Sequence, residues 1–170
     1  MNLPNLVTLS RLMLVFPLVF CFEAGLNRWA LVLFLLASGT DWLDGYLARR
    51  LGQTTALGAM LDPLVDKVLV TAALLALASR NLVPAWSVTL ILSREFLITG
   101  LRSAAAEEGI SIPASIWGKA KTLVQVTAIA LFLLPAPSLA FPLYWVAVGL
   151  TVFSGGEYVY RTRAIWLTKK

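Results

Sequence analysis

Four aspartates fall within 26 residues of this chain. They read Asp41-Trp-Leu-Asp44-Gly45-Tyr-Leu-Ala48-Arg49, then eight residues, then Gly58-Ala-Met-Leu-Asp62-Pro-Leu-Val-Asp66. The whole chain has only nine acidic residues, and these four lie between long apolar runs. A carboxylate near apolar surroundings is costly unless it meets a cation, so such residues mark a working site. At helical periodicity Asp41, Asp44, Gly45 and Ala48 share one stripe, and Gly58, Asp62 and Asp66 follow at steps of four on the next helix. Two antiparallel helices joined by a short turn can then aim four carboxylates into one space. Like charges that close do not all stay ionised without compensation. Hard divalent cations with oxygen ligands, magnesium or manganese, supply it. Gly45 and Ala48 leave room beside the acids for a neighbouring helix or a ligand.

The elements around this stretch follow from composition. Of 170 residues, 59% are hydrophobic, and the mean hydropathy is +0.81. That composition points to one all-α domain over residues 1–170, an integral membrane bundle, rather than a water-soluble fold. The apolar runs and their Gly/Pro punctuation predict six transmembrane helices, at about 9–25, 28–50, from 57–63 to 79, 85–106, 116–134 and 140–162. A short N-terminal interfacial segment precedes the first, and the N-terminus reads as a retained anchor rather than a signal peptide. The start of the third helix is open: Asp62 and Pro63 suit a cap and first turn, while Gly58 suits a helix already under way.

Charge sets the orientation. With six spans, Arg11, Arg49, Arg50, Lys67, Arg94, Arg102, Lys119, Lys121, Arg161, Arg163, Lys169 and Lys170 collect on one side, 12 basic residues against Arg28 and Arg80 on the other. Basic residues accumulate in the cytoplasm, so both termini and the aspartates are expected there, in the inner (cytoplasmic) membrane. The net charge of +5 is dispersed among apolar segments, which suits a membrane surface or a phosphate-bearing substrate and argues against nucleic acid. The chain has no histidine and a single cysteine, Cys21. Ser-His-Asp chemistry, His-ligated zinc and an internal disulfide are therefore excluded, and a general base must be a carboxylate, a lysine or a tyrosine.

Taken whole, the eight positions Asp41, Asp44, Gly45, Ala48, Arg49, Gly58, Asp62 and Asp66 resemble the signature of the CDP-alcohol phosphatidyltransferases. Further similarity lies in Asn2-Leu-Pro4-Asn5-Leu-Val-Thr8-Leu-Ser-Arg11, in Ser93-Arg94-Glu95-Phe with Gly100-Leu-Arg102, and in Trp117-Gly118-Lys119-Ala-Lys121-Thr122. These resemble the branch of the family that makes phosphatidylglycerophosphate from CDP-diacylglycerol and glycerol 3-phosphate. The resemblance implies that Asp41, Asp44, Asp62 and Asp66 ligate two magnesium or manganese ions and that Asp66 is also the general base. It implies that Gly45, Ala48, Arg49, Gly58, Asn5 and Thr8 bind CDP-diacylglycerol, and that the enzyme is a homodimer in the lipid bilayer. Arg94, Arg102, Lys119 and Lys121 would hold the acceptor phosphate, a dianion that needs more than one cation.

Plainer readings stand beside these. Arg94 with Glu95 suits a structural ion pair, Lys119 and Lys121 suit topology signals, and Asn5, Thr8 and Arg11 suit capping or interface anchoring. The acceptor could instead be inositol phosphate, serine or phosphatidylglycerol. A divalent-cation channel or transporter would place its carboxylates near the bilayer midplane, whereas these gather at one face.

Overall fold

The computed structural model describes the backbone of residues 3–51, 56–107, 109–110, 112–113, 115–135 and 137–167. Within these, side chains are described outside 3–8, 41–51, 56–63, 66, 137 and 164–167. The described residues form six α-helices and no strand: α1 (Leu3–Glu23), α2 (Asn27–Leu51), α3 (Ala56–Ser79), α4 (Ala85–Glu107), α5 (Ile116–Phe132) and α6 (Ala140–Leu167), with a 3₁₀ turn at Pro137–Leu139 before α6. The expected all-α class and helix number hold.

One device ends three of the helices. Gly25, Asn81 and Gly109 follow α1, α3 and α4 in the left-handed region, at φ of 73°, 56° and 77°. After α1, Gly25 N–H bonds Phe22 C=O at 3.1 Å and Leu26 N–H bonds Cys21 C=O at 2.9 Å. The same pair of hydrogen bonds recurs at Asn81 and Leu82, and at Gly109 and Ile110. This is the Schellman arrangement, which satisfies the last carbonyls and needs a residue tolerant of positive φ. The start of α5 is capped by Ser115, whose Oγ accepts the Gly118 N–H at 3.0 Å.

Two boundaries differ from expectation. The helix α1 starts at Leu3, not near residue 9, because Pro4 sits in the first turn, where its missing N–H leaves no bond unmade. The helix α3 starts at Ala56, so Pro63 is its eighth residue and Asp62 is not its cap. Ala56 to Leu61, rich in good helix formers, is already wound.

The chain divides into two compact units. Unit 1 holds residues 1–82 with 132–137. Here α1 packs against both α2 and α3, which also touch each other. Its core is built at helical spacing from Val15, Leu18 and Phe22 of α1, Ala30, Phe34 and Ala37 of α2, and Leu69, Ala73, Leu74 and Leu77 of α3. At the far end, Arg80 donates to Asn27 Oδ1 at 2.8 Å and ties α3 to the start of α2.

Unit 2 holds residues 83–131 and 138–170, with α4 packed on α6. Its polarity is inverted. The buried stripe of α6 carries Thr151, Ser154, Tyr158 and Thr162, while Val146, Val152, Phe153 and Val159 are exposed. The hydroxyls of Thr151 and Thr162 bond back to their own helix, at Ala147 C=O (2.7 Å) and Tyr158 C=O (2.9 Å). Near the start of α4, Ser87 Oγ and Tyr144 OH share a buried 2.6 Å hydrogen bond. Trp86 stacks at a tilt on Trp145, with ring centroids 5.6 Å apart. Among the described residues, no helix is long and apolar enough to cross a membrane.

Candidate active site

Asp41 and Asp44 lie on α2, with Gly45, Ala48 and Arg49 along the same helix, and Gly58, Asp62 and Asp66 lie on α3. The side chains of these residues, and of Asn5 and Thr8 on α1, lie outside the described residues. What the backbone establishes is that both acid-bearing segments are helical, as the spacing argument requires, and that the two helices touch. Among the described side chains, no group of three or more His, Cys, Asp or Glu gathers to hold a metal.

Arg11 adds a cation to unit 1. It extends the α1 core stripe Val15, Leu18 and Phe22 by one turn and is 1% exposed. A guanidinium this deep requires anionic or strongly polar company. Arg11 lies 14 residues before Gly25, and Asp41 lies 14 residues after Asn27. At about 1.5 Å of rise per residue, the helix positions of Arg11 and Asp41 therefore stand at similar heights either side of the turn. The sequence left Arg11 open between anchoring the chain and lining a site, and its burial removes the surface-anchor reading.

In unit 2 the structure joins two of the four expected acceptor-binding cations through an acid. Arg94 Nη1 donates to Glu95 Oε1 at 2.9 Å, and Lys121 Nζ reaches the same oxygen at 2.5 Å. Arg94 Nη2 continues to Ser154 Oγ at 3.1 Å. One network thus links α4, α5 and α6. The ion pair between Arg94 and Glu95 is made, and Lys121, only 2% exposed, is a core residue rather than a surface signal. Arg102 and Lys119 are exposed. Arg102 lies within electrostatic reach of Tyr158, as does Arg94.

Two glycines lie beside Arg94, and Gly155 is the one that makes room for it. A Cβ on Gly118 would lie 3.9 Å from Arg94 Nη2, and a Cβ on Gly155 would lie 3.2 Å from Arg94 Cγ and 3.8 Å from Nε. The second distance is too short for ordinary contact, so Gly155→Ala should displace the Arg94 stem by a few tenths of an ångström. Sub-ångström misplacement of a binding group is costly, and we expect Gly155→Ala to raise the KM for a phosphorylated acceptor about tenfold with the fold intact. An unchanged KM alongside unchanged circular dichroism would dissociate Arg94 from acceptor binding.

Sequence reasoning missed Glu95 as the shared partner, and Ser154, Gly155 and Tyr158 on α6 altogether. The only available signal was that Ser154 and Tyr158 are spaced i, i+4 at the end of an apolar run.

Comparison with known proteins bears on what these elements are. The family model for CDP-alcohol phosphatidyltransferase matches residues 1–153. The chain is 42% identical over 180 residues to the CDP-diacylglycerol–glycerol-3-phosphate 3-phosphatidyltransferase of Bacillus subtilis (strain 168), covering 92% of this chain and 93% of that protein. It is 43% identical to a probable phosphatidylglycerophosphate synthase of Mycobacterium tuberculosis (strain ATCC 25618 / H37Rv), covering 94% and 81%. Its fold is shared with crystal structures of the Mycobacterium tuberculosis phosphatidylinositol phosphate synthase PgsA1. For the apo form the TM-score is 0.72 at 18% identity, covering 95% of this chain and 89% of that one. For the form in complex with manganese and citrate it is 0.71 at 19%, covering 94% and 81%. With such relatives along nearly its whole length, and with the aspartate signature carried on two touching helices, this chain belongs to the CDP-alcohol phosphatidyltransferase family.

Proposed function

We propose that this protein transfers the phosphatidyl group of CDP-diacylglycerol to the hydroxyl of sn-glycerol 3-phosphate, giving phosphatidylglycerophosphate and CMP. The observation that carries this reading is the eight-position aspartate signature on α2 and α3, in a chain whose relatives bear that activity as their name. The acceptor hydroxyl forms a new bond to the phosphatidyl phosphorus as the bond from that phosphorus to the oxygen of CMP breaks. Asp66 accepts the hydroxyl proton, the role that the family resemblance gives it and that a carboxylate can fill in a chain without histidine.

The donor set fits hard divalent ions, since four carboxylates offer only oxygen ligands. Asp41, Asp44, Asp62 and Asp66 would hold two such ions, magnesium or manganese. When bound, they neutralise the diphosphate and the oxygen that leaves with CMP. Gly45, Ala48 and Gly58 admit the cytidine diphosphate head, Arg49 pairs with its phosphates, and Asn5 and Thr8 line the nucleotide. Arg94, Arg102, Lys119 and Lys121 hold the acceptor phosphate. Glu95 fixes Arg94 and Lys121 in place, so part of the ordering cost is met before the ligand arrives.

The proposal includes a place in the bilayer. The whole chain acts as one membrane domain, a homodimer whose six helices span the cytoplasmic membrane with both termini and the aspartates at the cytoplasmic face. The inverted polarity of α6 supports this, as do Met13, Phe16 and Phe20 on α1, each more than 60% exposed. Large apolar side chains turned outward over polar ones turned inward suit hydrocarbon as solvent, not water.

An acceptor panel tests the reading. Purified protein in detergent receives CDP-diacylglycerol with glycerol 3-phosphate, inositol phosphate, serine or phosphatidylglycerol in turn. Product with glycerol 3-phosphate is expected, and product with serine alone would overturn the assignment.

A further inference from the structure

Among the described residues, three buried hydrogen-bond donors of unit 2 have no acceptor: Arg94 Nε, Gln125 Nε2 and the hydroxyl of Tyr158. Tyr158 is 5% exposed, so bulk water does not satisfy it. A buried hydroxyl left unpartnered is destabilising, and a phenylalanine would pack there without that penalty. Packing alone therefore does not account for the tyrosine.

Its position gives the other half of the argument. Tyr158 lies one turn beyond Ser154 on the buried stripe of α6, and Ser154 is the residue that receives Arg94 Nη2. Gly155, between them in sequence, lies against the Arg94 stem and Nε. Arg94 and Arg102, two turns apart on α4, both lie within electrostatic reach of the Tyr158 phenolic oxygen. A donor hydroxyl and a donor Nε–H, neither with an acceptor among the described residues, thus lie within the field of two guanidinium groups. That combination fits an anion rich in oxygen lone pairs and repels a cation.

We propose that Tyr158 is an acceptor-binding residue, donating its hydroxyl to the phosphate of the phosphorylated alcohol beside the Arg94 Nε–H. This deepens the proposed reaction and rests on that reading. The tyrosine discriminates acceptors too, because serine offers no phosphate to satisfy the two donors.

Tyr158→Phe separates this from a structural role, because the two predict opposite things. Loss of a hydroxyl that binds ligand should raise the KM for glycerol 3-phosphate about tenfold, with kcat within about twofold and the KM for CDP-diacylglycerol unchanged. Inorganic phosphate, used as a competing anion, should weaken by the same factor. The thermal unfolding midpoint in detergent should stay the same or rise. A folded Tyr158→Phe variant with unchanged acceptor KM, or one that unfolds at lower temperature with both KM values unmoved, overturns the proposal. Should wild-type protein prefer inositol phosphate to glycerol 3-phosphate, the acceptor assignment fails, and the Tyr158→Phe comparison with that alcohol still decides the role of Tyr158. Turnover with no phosphorylated alcohol at all sinks both.

Discussion

Replacing Asp66 by asparagine should abolish CMP release, lowering kcat by about 10³–10⁴-fold while the helical signal is unchanged. The substitution keeps the shape of the side chain on α3 and one of its two ligand oxygens, and removes the negative charge together with the capacity to take a proton. Divalent ions should therefore still raise the thermal unfolding midpoint of the variant, since ligands that bind the folded state stabilise it. That second readout matters, because a pure loss of metal would abolish turnover for another reason. Activity within tenfold of wild type would remove Asp66 as the base. Loss of activity together with all metal stabilisation would make it a ligand first.

Lys121→Met should be the most damaging change in unit 2. The ammonium is buried, and its contact at 2.5 Å with Glu95 holds α5 to α4. Removing one member of a buried pair leaves the other short of charge compensation, at about 3–5 kcal/mol in the dry limit. Arg94 still contacts Glu95 in the variant, so the loss should fall toward the lower figure. Stability should return in large part when Glu95→Gln is added, because the stranded carboxylate is then gone. Acceptor binding should not return. Losing one of the two paired cations should raise the KM for glycerol 3-phosphate about 100-fold in the single and the double variant alike. Recovery of both properties in the double variant would show that Lys121 serves the fold and not the ligand.

How much of this could be read from sequence follows from the physics of each feature. The helices were legible because Gly25, Asn81 and Gly109 are the residues that tolerate the left-handed turn, and they punctuate otherwise apolar runs. The aspartate pattern was legible because helical spacing is a property of one element and its immediate neighbour. The start of α3 was not, since Pro63 suits both a first turn and a tolerated interior position, and the wound residues before it decide. The acceptor cluster was half legible. Charges at Arg94 and Lys121 stand out in apolar surroundings, but only the packing of α4, α5 and α6 shows that Glu95 lies between them. Ser154, Gly155 and Tyr158 carried no charge and no motif. Their part emerges only where α6 meets the Arg94 side chain. Arg102 and Lys119 were grouped with Arg94 and Lys121 by sign and side, and their exposure sets them apart from the half-buried Arg94 and the buried Lys121.

The central claim is that carboxylates on two touching helices and a histidine-free chain suffice for ion-dependent phosphatidyl transfer. It is tested most directly by following CMP released from CDP-diacylglycerol by the purified protein in detergent, with and without magnesium or manganese and with and without glycerol 3-phosphate. CMP is expected only when ion and phosphorylated alcohol are both present, in step with a new phospholipid. CMP release that ignores added chelator, or none under any combination, would contradict it.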